Sequence, residues 1–398
     1  MPHHLEKIEY KPIPVRDLLL EMKNLSELMI DLAYSAALFN DKELAEEVME
    51  LERRVDNLAY LLEMMIMVAA RDAKDAEELL GVSTVAAATD KISDAAADIA
   101  VIVLRDIGVH PIVTEIFERV EERLMQAKVS KGSKLVGRRI RELDLAAEMG
   151  VDVIAIRRNS DWVINPKEDE TVQEEDVLIT RGAPVGIREF RELVEGKLQG
   201  MTNELPQHRQ KQFEEIVNRF VDLKDTSELM IDLAYSSLLL NSPELAEEVQ
   251  RLEDYMDQAH TGFETLVLAS KCENEDPKGF LGLIRLGVVT EKIADAASQI
   301  SEVVLRGIKP HPILKLAIRE AEETVFHTRV ATSSALVGKT LREARIPEET
   351  GMWILAIKRS DKCIRPRSDL KIEVGDVLIA SGYSDGEVAL SKLATLSF

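Results

Sequence analysis

Apolar residues near the start of the chain recur three and four positions apart, which is the spacing of one face of an α-helix. The pattern in residues 25–39 stops at Asn40-Asp41 and resumes through residues 42–71. A third helix is predicted at about residues 82–105, and a fourth at residues 112–125, where Pro111 precedes its first turn. Four helices joined by short loops predict an antiparallel bundle.

After Val129 the pattern favours short strands. A strand and a loop at residues 133–137 lead to a brief helix at residues 138–143. Three strand segments are then predicted at residues 151–156, 162–164 and 177–180, with a terminal helix at residues 186–195. This part of the chain is predicted to be an α+β domain of about 70 residues.

The whole unit occurs twice. Residues 26–52 and 227–253 agree at 20 of 27 positions, and the register of 201 residues continues until the second hairpin, which is one residue shorter. The sequence therefore predicts an α+β multidomain protein in which a bundle and a small domain are duplicated. The expected boundaries are 1–127, 128–197, 198–328 and 329–398.

Composition limits the classes of function. A net charge of −22 opposes binding to nucleic acid or to anionic membrane surfaces. No apolar run reaches the roughly 18–20 residues that span a bilayer, and the N-terminus lacks a secretory pattern. Cys272 and Cys363 occupy non-equivalent positions, so neither a disulfide framework nor a cysteine metal site is expected. We expect a cytoplasmic protein without membrane insertion.

Acidic residues four positions apart form the first candidate site. Such pairs of like charges cost a few tenths of a kcal/mol each unless something offsets them. A divalent, iron or zinc ion bridging two helices would do so, but a solvated acidic face fits equally well. The candidate metal ligands are Glu27, Asp31, Asp90 and Asp94, with Glu228, Asp232, Glu291 and Asp295 in the second copy.

The small domain resembles the TrkA-C domain of RCK-type regulators of potassium transport. The resemblance rests on the Ser-x-Leu-Val-Gly loop at 133–137, Arg141-Glu142, Gly150, the strand ending at Arg158 and the Asp-Val-Leu-Ile strand at Asp176, all repeated in the second copy. The helical part is similar to PhoU-like bundles, through its acidic pairs and the Leu-Ala-Glu-Glu-Val segments at 44–48 and 245–249. A Gly-x-Gly-x-x-Gly motif is missing from the sequence, so NAD is not expected.

The TrkA-C resemblance implies a ligand site at the interface of two small domains. The ligand is expected to be cyclic di-AMP, another small molecule or a metal ion. An alternative is that the aliphatic residues at the matching positions, which are given next, only bury a domain interface. The matching positions are Val153, Ile154, Ile164, Asn165 and Pro166, then Ile354, Leu355, Ile364, Arg365 and Pro366, with Arg158 and Arg359 as candidate phosphate ligands.

No arrangement typical of a nucleophile or a phosphate loop is found in the sequence, so a non-enzymatic role is favoured. The resemblance implies a regulator of a membrane cation channel or transporter, with potassium as the favoured ion, that senses a small ligand. The alternative is a metal-binding PhoU-type regulator of phosphate uptake or metal homeostasis. The small domains could pair within one chain, as a pseudo-dimer, or between two chains of a homodimer.

Overall fold

The computed structural model describes residues 8–108, 110–143, 145, 149–159, 161–195, 207–270, 277–321, 323–359, 362–364, 366, 369–383 and 386–395. Cys272 and Arg365 lie outside these residues. The described part contains no helix that combines the length and the apolar character needed to cross a membrane.

The first copy begins with three long helices and continues into a four-stranded sheet. The elements are α1 (Val15–Phe39), α2 (Lys42–Ala69), α3 (Ala73–Leu104), α4 (Ile112–Phe117), β1 (Arg123–Lys128), α5 (Ile140–Leu143), β2 (Val151–Arg158), β3 (Asp161–Ile164), β4 (Val177–Gly182) and α6 (Pro184–Glu195).

The second copy repeats this order. Its elements are α7 (Gln207–Leu240), α8 (Pro243–Ala269), α9 (Pro277–Leu305), α10 (Pro312–Glu320), β5 (Glu323–Arg329), α11 (Leu341–Ala344), α12 (Ile346–Thr350), β6 (Met352–Arg359), β7 (Lys362–Ile364), β8 (Val377–Tyr383) and α13 (Gly386–Thr395). The predicted α+β fold with a duplicated bundle and small domain is confirmed.

Two predicted helix boundaries were wrong. Helix α3 begins nine residues earlier than predicted, because the Asp72 carboxylate accepts hydrogen bonds from the backbone N–H groups of Lys74 and Asp75 and caps the helix. Helix α4 ends at Phe117 and does not reach Met125, which lies in β1 opposite Thr180 of β4. Pairing with the sheet overrides the local helical pattern at this position.

Each small domain has an antiparallel sheet with the strand order β1-β4-β2-β3, or β5-β8-β6-β7 in the second copy. The register of β2 against β4 shifts between Val153 and Ala155. Val153 and Ile156 lie in the core of the small domain, whereas Ile154 and Ala155 pack with the helical core. Because of this irregularity, side chains of the single strand β2 pack in both the core of the small domain and the helical core.

The two bundles pack against each other within the chain, through α3 and α9. Lys91 Nζ donates to Gln299 Oε1 at 2.8 Å, and Lys292 Nζ donates to Asp98 Oδ2 at 2.7 Å. These four residues are equivalent in the two copies, so the contact is reciprocal, as across a two-fold axis. The two bundles are therefore paired with each other inside the chain.

The short fourth helices also join the two copies, because each packs on the first helix of the other copy: α4 on α7, and α10 on α1. Arg119, which follows α4, donates to Asn218 Oδ1 at 3.0 Å, and Arg16 of α1 lies 3.5 Å from Glu320 of α10. The small domains also meet: a Cβ added to Gly150 would lie 3.4 Å from the carbonyl oxygen of Pro347. The chain is folded as an internal pseudo-dimer.

Candidate functional site

The first small domain is held to its bundle by two ion pairs. Arg181 of β4 forms an ion pair with Asp31 of α1, and both side chains are 7% exposed. Arg157 Nη1 of β2 lies 3.1 Å from Asp41 Oδ2, and the other carboxylate oxygen of Asp41 accepts from the Leu44 N–H and so caps α2. The first contact is buried on both sides, so breaking it would leave an uncompensated charge in the interior.

The second small domain makes a weaker version of the same contact. Ser381 occupies the position of Arg181, and its hydroxyl donates to Asp232 Oδ2 at 2.6 Å. Ser242 replaces Asp41 as the cap of the second helix, and Lys358 replaces Arg157. A neutral hydroxyl thus stands where the first copy has a buried ion pair, and the two small domains are docked unequally.

A cavity of about 720 Å³ lies where α1, α7 and both small domains meet. We call it the central cavity. One wall is formed by α7, and the wall formed by the second small domain includes Trp353, Ile354, Leu355 and Pro366. The lining contains nine carboxylates and only three guanidiniums, so it carries a formal excess of six negative charges.

Two buried lysines stand beside the central cavity. Lys23 Nζ lies 2.6 Å from Glu27 Oε2 and 4.9 Å from the ring centre of Tyr235, while Lys224 Nζ lies 2.7 Å from Glu228 Oε2. Burial raises the pKa of the Tyr235 hydroxyl, which lies 3.1 Å from Thr89 Oγ1. These contacts tie α1 to α7 and give two of the carboxylates of the lining a cation.

Some of the predicted ligand positions line the central cavity, and others do not. Ile354, Leu355 and Pro366 line the central cavity, as a ligand site requires. Their packing is otherwise the same as in the first copy: Ile154 and Leu355 both lie in the helical core, and Val153 and Ile354 each pack with the core of their own small domain. The second-copy residues differ in that they also line the cavity.

The other aliphatic and turn positions of the predicted site also have structural surroundings. Ile164 packs against the helical core and Ile364 against the core of the second small domain. Pro166 is buried. Asn165 has a φ of 47°, and its N–H donates to the Ile154 carbonyl at 3.0 Å. In the first copy, packing accounts for these residues.

The proposed phosphate-binding role of Arg158 and Arg359 is not supported by their contacts. Arg158 donates to both carboxylate oxygens of Asp176, at 3.0 and 2.9 Å, to Glu170 at 2.8 Å and to the Thr171 carbonyl at 2.8 Å. Arg359 repeats this set with Asp376, Glu373 and the Lys371 carbonyl. Each guanidinium is occupied inside its own domain, so we assign both arginines a structural role.

The eight predicted metal ligands also separate into two groups. Glu27, Asp31, Glu228 and Asp232 belong to the central cavity, with the partners described above. Asp90, Asp94, Glu291 and Asp295 face the second helix of their own bundle. The structure therefore does not bring the two predicted acidic pairs of each copy together, since the spacing within a helix does not say which neighbouring helix it faces.

Two acidic clusters result from this arrangement. Glu52 and Asp56 of α2 lie with Asp94 of α3, and their nearest carboxylate oxygens are all within 4.8 Å of one another. Glu253, Asp257 and Asp295 form the same cluster in the second copy. Glu52 and Asp56 also lie four residues apart in the sequence, but this spacing does not say that they lie beside Asp94.

Burial and mutual repulsion change the acidity of these clusters. Burial, followed by the charge of Asp56, raises the pKa of Glu52 to about 7. Burial, followed by the charge of Asp94, raises the pKa of Asp90 to about 6. The pKa of Glu291 rises for the same reasons, burial first and then Asp295. One carboxylate oxygen of Asp90 is buried and accepts no hydrogen bond from the described residues.

These shifts predict how stability depends on pH. The folded protein keeps a proton on Glu52 that the unfolded chain releases above about pH 4.5, so without divalent cations the free energy of unfolding falls as pH rises from about 4.5 to about 7. Glu52→Gln should flatten this slope, as measured by urea unfolding in EDTA across the window. The exposed Glu46→Gln is the control, and an unchanged slope in Glu52→Gln would contradict the assignment.

The structural role of Arg158 gives a second prediction. Asp176 is 1% exposed, so Arg158→Ala would leave its carboxylate buried without its main cation and should lower the free energy of unfolding by about 3–5 kcal/mol. Lys128→Ala, which breaks the exposed pair with Glu175, should cost no more than about 1 kcal/mol. Equal, small losses in both variants would show that Arg158 is not structural.

Family models match both kinds of domain, each twice. The TrkA-C domain matches residues 124–195 and 328–394, and the PhoU domain matches residues 19–103 and 220–304. Together they cover both copies of the repeat in the order that the structure shows.

Two curated relatives come from Bacillus subtilis (strain 168). "Ktr system potassium uptake protein C" is 29% identical over 82 residues, which are 21% of this chain and 37% of the relative. "K(+)/H(+) antiporter subunit KhtT" is 41% identical over 56 residues, 14% of this chain and 34% of the relative. The chain thus spans about a third of the length of each of these relatives.

Among solved structures, PhoU from Streptococcus pneumoniae is similar with a TM-score of 0.39 and 12% identity, and PhoU from Pseudomonas aeruginosa with a TM-score of 0.37 and 16% identity. Each match covers 74% of this chain and 96% of the other. The family matches agree with the bundles and sheets described above. The chain is therefore a tandem protein in which two PhoU domains alternate with two TrkA-C domains.

Proposed function

We propose that this chain is a non-enzymatic, cytoplasmic regulator of a membrane cation transporter or channel, with potassium as the favoured ion, and that it senses a small ligand through its second TrkA-C domain. Both kinds of domain belong to regulatory families. Two relatives that match part of the chain are named for potassium uptake and for potassium–proton antiport. These names support the choice of ion.

The central cavity is the observation that carries this proposal. One of its walls is helix α7 of the second PhoU domain, and another belongs to the second TrkA-C domain. A ligand that touches both walls would change how that domain rests on the helices. Binding energy would then be converted into a change in domain position, as a sensor requires.

The unequal docking of the two TrkA-C domains supports the same role for the second domain. Removing one partner of a buried ion pair such as Asp31–Arg181 costs about 3–5 kcal/mol. Removing the Ser381 hydroxyl from Asp232 should cost less, about 1–3 kcal/mol, because it leaves no second charge unpaired. On this comparison the first domain acts as the anchor, and the second is the one that a ligand can move.

A flux measurement tests this function. Deleting the gene in the source strain should change ⁸⁶Rb⁺ uptake, and the wild-type gene should restore it. Trp353→Ala removes an apolar wall of the central cavity and should fail to restore uptake. Tyr60→Ala, which removes an exposed aromatic side chain of α2 outside the cavity, should restore it. Unchanged flux after deletion would refute the proposed function, and full activity of Trp353→Ala would refute the assigned site.

A second candidate function is a metal-binding PhoU-type regulator of phosphate uptake or metal homeostasis. The observation that favours it is the pair of acidic clusters, each with three carboxylates close enough to share one ion. Oxygen ligands of this kind suit divalent cations, and iron or zinc could also be held. A bound cation would offset the repulsion that raises the pKa of Glu52 and Asp94.

Metal analysis of the purified protein tests this candidate. Wild-type protein should carry up to about one ion per cluster, because each cluster supplies one set of three carboxylates. Glu52→Gln/Asp94→Asn should lose the ion of the first cluster only, while Glu46→Gln should keep both. Metal-free wild-type protein, after exposure to iron, zinc, manganese and magnesium, would eliminate this function.

A further inference from the structure

We propose that the central cavity binds a linear organic polyamine, with its ammonium groups along α7 and its methylene chain against the second TrkA-C domain. This inference rests on the proposed function, because it takes the central cavity as the ligand site, and it adds the chemical class of the ligand.

Helix α7 presents a line of acidic residues to the central cavity. Asp222, Asp225, Glu228 and Asp232 all line the central cavity, and we call them the α7 acidic row. They lie three, three and four positions apart, so they extend about 15 Å along one side of the helix at about 1.5 Å per residue. Lys224 pairs with Glu228 and offsets one of the four charges. The row therefore keeps an excess of negative charge in a line.

The spacing of the row fits a polyamine better than a compact cation. With single bonds of about 1.5 Å, the nitrogens of spermidine are separated by about 5 Å and about 6 Å when the chain is extended. The steps along the α7 acidic row are about 4.5 Å and about 6 Å. Successive ammonium groups can thus meet successive carboxylates as charge-assisted hydrogen bonds.

The opposite wall suits a hydrocarbon chain. Ile346, Trp353 and Leu355 line the central cavity from the second TrkA-C domain. A bare metal ion would leave most of a 720 Å³ cavity to water and would not use this wall. An anionic dinucleotide would meet a lining whose nine carboxylates outnumber the three arginines of the lining and the two adjacent lysines, Lys23 and Lys224.

The environment of Asp225 supports a cationic ligand. Burial raises the pKa of Asp225 to about 7, although the charge of Lys224 opposes the shift. Its carboxylate accepts a hydrogen bond from the Glu121 N–H at 3.4 Å. An ammonium group beside Asp225 would favour its charged form.

The two copies differ at the positions that this site needs. Asp225 corresponds to Asn24 in α1, so the acidic row is interrupted in the first copy. Trp353 corresponds to Asp152, and Ser381 to Arg181, whose guanidinium already pairs with Asp31. The first copy thus has an arginine at this position of the cavity, and the second has a neutral hydroxyl. We expect one polyamine per chain.

The copies also provide the matched variants for a test. Asp225→Asn and Ser381→Arg each give the second copy the residue of the first. Isothermal titration with spermidine at physiological ionic strength should find one site in the wild type. Both variants should weaken binding by at least about tenfold, the loss expected for one charge-assisted contact. Glu46→Gln, at an exposed position of α2 outside the cavity, should bind as the wild type does.

Two results would overturn the proposal: no saturable binding of spermidine to the wild type, or wild-type affinity in both Asp225→Asn and Ser381→Arg. Asp225→Asn is isosteric, so it remains informative if Ser381→Arg fails to fold.

Cyclic di-AMP is titrated in parallel. If it binds in place of spermidine while Trp353→Ala still abolishes the flux effect, the ligand class is wrong and the site stands. If Trp353→Ala is also without effect, the proposed function falls as well.

Discussion

The packing of α3 against α9 is the contact on which the rest of the structure depends. Helix α3 has one acidic side, which carries Asp90 and Asp94, and apolar or small residues on its other sides, and it packs on α1 and α2 in its own bundle and on α9 in the other. An apolar surface of this width must be buried against several neighbours, and α9 covers the part that α1 and α2 leave open. Duplication supplies the missing surface within the same chain. Once α3 and α9 are joined, α1 and α7 are brought together, and both small domains are carried to the same side of the central cavity.

Within this symmetric frame, the two copies carry different residues beside the central cavity. Arg181 of the first copy is equivalent to Ser381 of the second, and Asp152 is equivalent to Trp353. Each exchange replaces a charge of the first copy with a hydroxyl or an apolar surface in the second. The buried core, by contrast, keeps its character, as Leu32 and Leu233 or Ile92 and Ile293 show. The buried core thus keeps the two-fold symmetry of the repeat, whereas the two copies contribute different residues beside the central cavity.

Sequence periodicity predicted the helices and the duplication because each depends on residues close together in the chain. It failed where partners are distant. The four-residue spacing placed Asp31 on one side of α1, but the strand that brings Arg181 to it is 150 residues away. It likewise put Asp94 in a metal site but did not find Glu52 and Asp56, which belong to another helix. The end of α4 was missed for the same reason, since β1 forms only because β4 is there to pair with it.

A crosslink between α3 and α9 tests whether the two copies pair with each other inside one chain. Lys91→Cys/Gln299→Cys, with Cys272 and Cys363 changed to serine, places one thiol on each helix at a contact of 2.8 Å between the native side chains. Treatment of dilute protein with a short bismaleimide should give a crosslinked species with the mass of one chain, as measured by intact-protein mass spectrometry. A product with the mass of two chains, with no intrachain crosslink, would contradict the account.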